Sequence, residues 1–143
     1  MTDDLYQKAI LGKAREATGA GTLEDAHAKV TVDNPVCGDR VTMEIRLSDG
    51  GVAAVAHKVR GCLLCEAAAS VIGANAPGAT RAEIAAARAA VTALIEDGAK
   101  IPADSWSALS IFQPVTAHKS RYNCVLLPFE ALSRALKAAD IAD

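Results

Sequence analysis

The order in which two kinds of periodicity follow one another constrains this chain most. Three β-branched, partly alternating runs come first: AKVTVDNP, DRVTMEIRLSDGG and VAAVAHKVRG. Asn34-Pro35 and Asp49-Gly50-Gly51 stand between them as turn signals, which predicts an antiparallel meander of three strands. After Gly61 the pattern changes to the Ala-rich CLLCEAAASVIGANAPG, a helix expected to stop at Pro77-Gly78. Another helix is expected from Thr80, where Thr80 and Glu83 have the spacing of a capping box. The segment ADSWSALSIFQPVTAHKS reads as a short helix and a loop broken at Pro114. RYNCVLLPFEALSRALKAAD reads as a final amphipathic helix that must tolerate Pro128 near its first turn. Ahead of the strands, residues 2–17 are expected to be helical, ended by GAGT at 19–22. Strands first and helices afterwards imply an α+β fold, a three-stranded antiparallel sheet with helices packed on one face.

At 143 residues, with no internal repeat or linker, the expected organisation is a single domain over 1–143. Aromatics make up 3% of a chain that is 51% apolar, so the core must be built from Ala, Val, Leu and Ile, with Trp106, Phe112 and Phe129 as rare large pieces. A formal charge of -2, from 15 basic and 17 acidic residues, gives no field that favours nucleic acid or an anionic membrane surface. The first residues, MTDDLYQKAILGKAREA, open with acids and lack the basic head and apolar run of a secretory signal. No stretch approaches a membrane span, and the chain reads as cytoplasmic. In a reducing compartment, four cysteines are metal ligands or reactive thiols rather than two structural disulfides.

Three of the cysteines stand at junctions between elements. Cys37 lies in NPVCGDR, where Asn-Pro and Gly make a tight exposed loop and place a thiol two residues from the Asp39 carboxylate. Cys62 follows Gly61 where the third strand gives way to a helix, and free N–H groups and the helix dipole favour a thiolate there. Cys124 is near the start of the last helix, with Arg121 three residues ahead to lower a thiol pKa or hold Asp39. Three thiolates and a carboxylate suit tetrahedral zinc, and thiolates also suit an iron–sulfur cluster; spacing alone does not choose. Read blandly, the same cysteines are small buried hydrophobes. Cys62-x-x-Cys65 has no second close pair, which disfavours a zinc ribbon or knuckle, and it lacks the βαβ context of a thiol redox protein. His27, His57 and His118 are weaker ligand candidates, with His118 the best placed. Glu66 is expected to serve the helix dipole rather than act as a general acid.

NPVCGDR at 34–40, Gly61-Cys62 before a small-residue helix, and RYNC at 121–124 resemble, in order, the three cysteine motifs of the IscU/SufU/NifU-N-terminal family of iron–sulfur cluster assembly proteins. LYQKAI, GTLEDA and FQPVTAHKSR extend the resemblance over nearly the whole chain. The interval of 62 from Cys62 to Cys124, Arg121, and Asn123 in place of the IscU histidine ligand are similar to the SufU branch. The resemblance implies zinc or a transient [2Fe–2S] cluster bound by Cys37, Asp39, Cys62 and Cys124, with Asp39 a weak, exchangeable ligand. It also implies that Cys37 accepts sulfur from a cysteine desulfurase, assisted by Arg121, and that apo iron–sulfur acceptors or carrier proteins lie downstream. The alternative within the resemblance is a zinc-dependent sulfurtransferase that relays persulfide sulfur without building the cluster. Lys119 and Arg121 form a basic spot that could meet the desulfurase. Two departures stand out. GKAREATGAG replaces an HYxNPRNxG-like stretch, and Cys65 stands where relatives usually carry Ser or Ala, leaving it as fifth ligand, persulfide relay, resolving thiol or bystander.

Overall fold

A computed structural model describes residues 8–36, 38–104 and 106–142. The three expected strands are β1 (Ala28–Asp33), β2 (Arg40–Ser48) and β3 (Gly51–Arg60), antiparallel neighbours in the order β1-β2-β3. The hairpin between β2 and β3 turns on Asp49 and Gly50, both at positive φ (42° and 81°), which two-residue hairpin loops require and which an Asp-Gly pair supplies. The register pairs Val32 with Val41, Val30 with Met43, and Met43 with His57, so one face carries Ala28, Val30, Val32, Val41, Met43, Ile45, Val55, His57 and Val59. The opposite face carries Lys29, Thr31, Arg40, Thr42, Lys58 and Arg60, as the period of two dictates.

Among the described residues, helices cover only the apolar face. They are α1 (Lys8–Glu16), α2 (Leu63–Asn75), α3 (Arg81–Asp97) and α4 (Tyr122–Ala142), and the first residues of the helix expected at 2–17 lie outside the described residues. α4 packs on β1 and β2, α2 packs on β3, α4 and α1, and α3 closes the far side against α4. The capping box forms: Glu83 N–H donates to Thr80 Oγ1 at 3.1 Å, and Thr80 N–H donates to Glu83 Oε1 at 2.8 Å. The core is the fine-grained one expected, with Leu64, Ile72, Ile95, Leu109 and Leu132 fully buried around Phe112 and Phe129. Trp106 packs on Phe129 with ring centroids 6.3 Å apart.

One expectation is corrected. The chain does not break at Pro114 but runs through it in a 3-10 helix, Ser107–Ala117, followed by a second short 3-10 turn, Lys119–Arg121. In a 3-10 helix each bond spans three residues, so a proline removes one donor while its fixed φ suits the turn. These turns deliver the chain to the start of α4 and bring Cys124 under the end of the sheet.

Candidate metal centre

Asp39 ends the β1–β2 loop, and Asn34 fastens that loop at its base. Asn34 N–H donates to the Asp39 carbonyl at 2.8 Å, Gly38 N–H donates to the Asn34 carbonyl at 2.8 Å, and Val36 N–H donates to Asn34 Oδ1 at 3.1 Å. This is the Asx turn that an Asn-Pro start favours. Val36 at the loop tip is 92% exposed, whereas the Asp39 side chain turns inward and is 4% exposed. Cys37, expected as ligand and sulfur acceptor, lies outside the described residues.

The Asp39 carboxylate meets the strand-to-helix junction. Cys62 is the N-cap of α2 with extended backbone (φ -78°, ψ 169°). Its N–H donates to Asp39 Oδ1 at 3.3 Å, and its sulfur lies 3.7 Å from Asp39 Oδ2. Gly61 makes this approach possible. A Cβ there would stand 2.6 Å from Asp39 Oδ1 and 2.7 Å from Cγ, so the carboxylate occupies the space that any other residue's side chain would fill. Gly61 is not in the left-handed region, so the glycine serves space rather than conformation. The sequence flagged Gly61 only as a junction. What marks its role is a glycine directly before a candidate ligand.

Cys124, third residue of α4 and 1% exposed, completes the group: one ligating atom each from Asp39, Cys62 and Cys124 lie within 4.8 Å of one another. The two thiols share a hydrogen bond, and this lowers the Cys62 pKa to about 6 against the opposing effects of burial and the Asp39 charge. The polarity of the nearby Cys65 backbone N–H and the Arg121 cation help to lower it. The same hydrogen bond, with burial, pushes Cys124 up, so the pair behaves as one thiolate and one thiol holding a single proton. Arg121 acts on both sulfurs in the direction its sequence position implied, lowering each.

Do these residues fit a metal? The donors are two soft sulfurs and a buried carboxylate from three distant segments, and all lie within 4.8 Å of one another. A cation here would replace the shared proton, as metal binding to thiols does. The donor set fits zinc or iron, and both would be held by Asp39, Cys62 and Cys124.

The other tempting residues stand apart. Cys65 is fully buried in the core, and its sulfur is not in the group. His27 Nδ1 accepts from Leu47 N–H at 2.8 Å, and His57 Nε2 pairs with the Thr18 carbonyl at 2.8 Å. His118 ends the first 3-10 helix; none of the three histidines joins the metal group among the described residues. Glu66 is in the first turn of α2 and, with His57, Lys58, Val59 and Ala14, lines a cleft of about 500 Å³ beneath α1. Among the described residues no helix is long and apolar enough to cross a membrane.

The family model for the NifU-like N-terminal domain matches residues 5–125. The iron–sulfur cluster assembly scaffold protein IscU of Thermotoga maritima is 26% identical over 139 residues, 93% of this chain and 93% of the relative. IscU 1 of Archaeoglobus fulgidus is 27% identical over 132 residues, 92% of this chain and 74% of the relative. The crystal structure of a NifU-like N-terminal protein from Brucella abortus superposes with a TM-score of 0.92 at 33% identity, covering 98% of this chain and 97% of the other. A SufU scaffold from Fervidobacterium islandicum shares the fold, with a TM-score of 0.86 at 23% identity over 95% of this chain and 99% of the other.

Proposed function

Since this chain belongs to the NifU-like N-terminal domain family, we propose that it is an iron–sulfur cluster assembly protein that accepts sulfur from a cysteine desulfurase and carries a nascent cluster as its cargo. The observation that carries this reading is the convergence of Asp39, Cys62 and Cys124 within 4.8 Å, with the Asp39 carboxylate in the space left by Gly61. A structural metal site closed by thiolates has no need of an exchangeable carboxylate or of a nearby arginine. Cys37 supplies the fourth ligand and the accepting thiol, two residues before Asp39 in a loop whose Val36 is exposed to an approaching partner. Its thiolate attacks the outer sulfur of the donor's persulfide and releases the donor cysteine as a thiolate. Arg121 favours the thiolate forms. Cys37, Asp39, Cys62 and Cys124 would hold iron during assembly or zinc at rest, and either metal would keep the thiols ionised. The whole chain acts as one such unit, in the reducing cytoplasm, and passes its cargo to apo iron–sulfur acceptors or carriers.

The test is metal and acid-labile sulfide content of anaerobically purified protein, before and after incubation with a cysteine desulfurase, cysteine and ferrous iron. Iron and sulfide in equal amounts, transferable to an apo-acceptor, are expected. Tight zinc without sulfide, with faster desulfurase turnover, would show the sulfurtransferase alternative instead. Neither metal nor sulfide would overturn both.

A further inference from the structure

The sequence marked Pro128 as something α4 must tolerate, and the fold places it where the intolerance acts on a metal ligand. In an α-helix the N–H of residue i+4 donates to the carbonyl of residue i. Residue 128 is four after Cys124 and has no N–H, so the Cys124 carbonyl has no α-helical donor. A proline ring also crowds the carbonyl four residues back and kinks the helix there. Pro128 is the seventh residue of α4, beyond the first turn where proline is accommodated without loss.

The residues of α4 on either side of Pro128 are fastened to different elements. Before it, Tyr122 Oη donates to the Thr116 carbonyl at 2.8 Å, which ties the start of the helix to the preceding 3-10 helix. After it, Arg88 of α3 donates to Glu130 at 2.9 Å and Ser133 at 2.8 Å, and Arg81 reaches Asp140 at 3.0 Å. Phe129, directly after the proline, is buried against Trp106. Cys124 belongs to the first part, whereas Asp39 and Cys62 belong to the sheet and α2.

We propose that Pro128 is a positioning residue for Cys124: by withholding the hydrogen bond to the Cys124 carbonyl, it bends the first turn of α4 away from the axis of the rest and sets the Cys124 sulfur against Cys62 and Asp39. Restoring the N–H straightens the helix and moves the ligand, and a metal site needs its metal–ligand distances met to within ~0.2 Å. The inference rests on the proposed metal-binding role of Asp39, Cys62 and Cys124.

Pro128→Ala and Pro128→Val, made in the full chain, test it. Ala restores the N–H without the ring, and Val restores it while keeping comparable bulk. Each variant is titrated with Co²⁺ alone under anaerobic conditions, following the thiolate charge-transfer and d–d bands, and its thermal midpoint is measured. The expected result is a midpoint equal to or above that of the parent protein, Co²⁺ affinity lower by roughly tenfold or more in both variants, and displaced d–d bands. A purely structural proline would shift the midpoint and leave the bands alone. Parental affinity and bands in both variants overturn the proposal, and so does parental behaviour in Pro128→Val alone, which would assign the effect to the bulk of the ring. Failure of the parent protein itself to bind Co²⁺ would overturn the metal site, and this inference with it.

Discussion

The two ends of α2 each depend on a glycine that has no room for a Cβ, and they use that space for opposite purposes. At the start, Gly61 yields its side-chain volume to the Asp39 carboxylate, a polar group drawn inward beside two thiols. Near the end, a Cβ on Gly73 would fall 1.8 Å from the Thr18 carbonyl oxygen and 3.1 Å from the Gly19 Cα, so here the space admits backbone. The Gly73 end is packing: Thr18 N–H donates to Ser70 Oγ at 3.1 Å, His57 N–H donates to the Gly19 carbonyl at 3.0 Å, and α1 is thereby pinned to the sheet and α2. A collision with backbone cannot be relieved by a rotamer change, whereas a carboxylate can swing aside. One end of the helix therefore serves packing, and the other serves the candidate metal centre.

Gly73→Ala should give the largest effect. Overpacking against backbone outweighs the ~1 kcal/mol that alanine adds to a helix, leaving a net loss of about 2 kcal/mol or more, read as a lower urea midpoint. Gly61→Ala should do the reverse: a urea midpoint close to parental, with Co²⁺ affinity reduced about ten- to a hundredfold as Asp39 is displaced. If both substitutions altered folding alone, or binding alone, the contrast between the ends would fail. Cys65, between them, sharpens it. Cys65→Ser puts a hydroxyl into a fully buried position and should cost about 1–2 kcal/mol, with metal stoichiometry unchanged because its sulfur is not in the ligand group. Loss of metal from that variant would place Cys65 among the ligands after all.

Cys65 also shows where sequence reasoning stops. The expectation that it could share a side with Cys62 used the i, i+3 rule, but Cys62 is the N-cap with extended φ and ψ, so the rule does not reach back to it. Local signals were legible because local chemistry decides them: the β-branched runs became β1 to β3, Asp49-Gly50 became the hairpin turn, and Thr80 with Glu83 became the capping box. The 3-10 course through Pro114 was not, since proline ends an α-helix but suits a tighter turn. The identities of Asp39, Cys62 and Cys124 came from motif and resemblance. The mutual shift of the Cys62 and Cys124 thiols, and the space Gly61 leaves for Asp39, arise only once segments distant in sequence meet.

The smallest predicted effect belongs to the packing end and separates it from the metal end by pH. His57 is 3% exposed, and burial lowers its pKa below the ordinary 6.5 despite the hydrogen bond to the Thr18 carbonyl, which acts the other way. The folded protein therefore holds His57 neutral where the unfolded chain already takes up a proton. Stability from this source is fully present above pH 6.5 and is lost as pH falls from there through the lower folded value, since the unfolded state binds more protons in that window. Lys58 and Glu66 line the same cleft. Urea midpoints of metal-free protein should stay flat from about pH 8 to about pH 7 and then decline towards about pH 5, because a histidine free in the unfolded chain takes up its proton near about pH 6.5. His57→Gln, which keeps a hydrogen-bonding group without the titration, should flatten that decline while leaving Co²⁺ affinity at about pH 7.5, above the histidine range, parental. An undiminished decline in His57→Gln would mean that the acid sensitivity arises elsewhere, and the pinning of α1 through Gly73 and Thr18 would then have to be independent of the charge on His57.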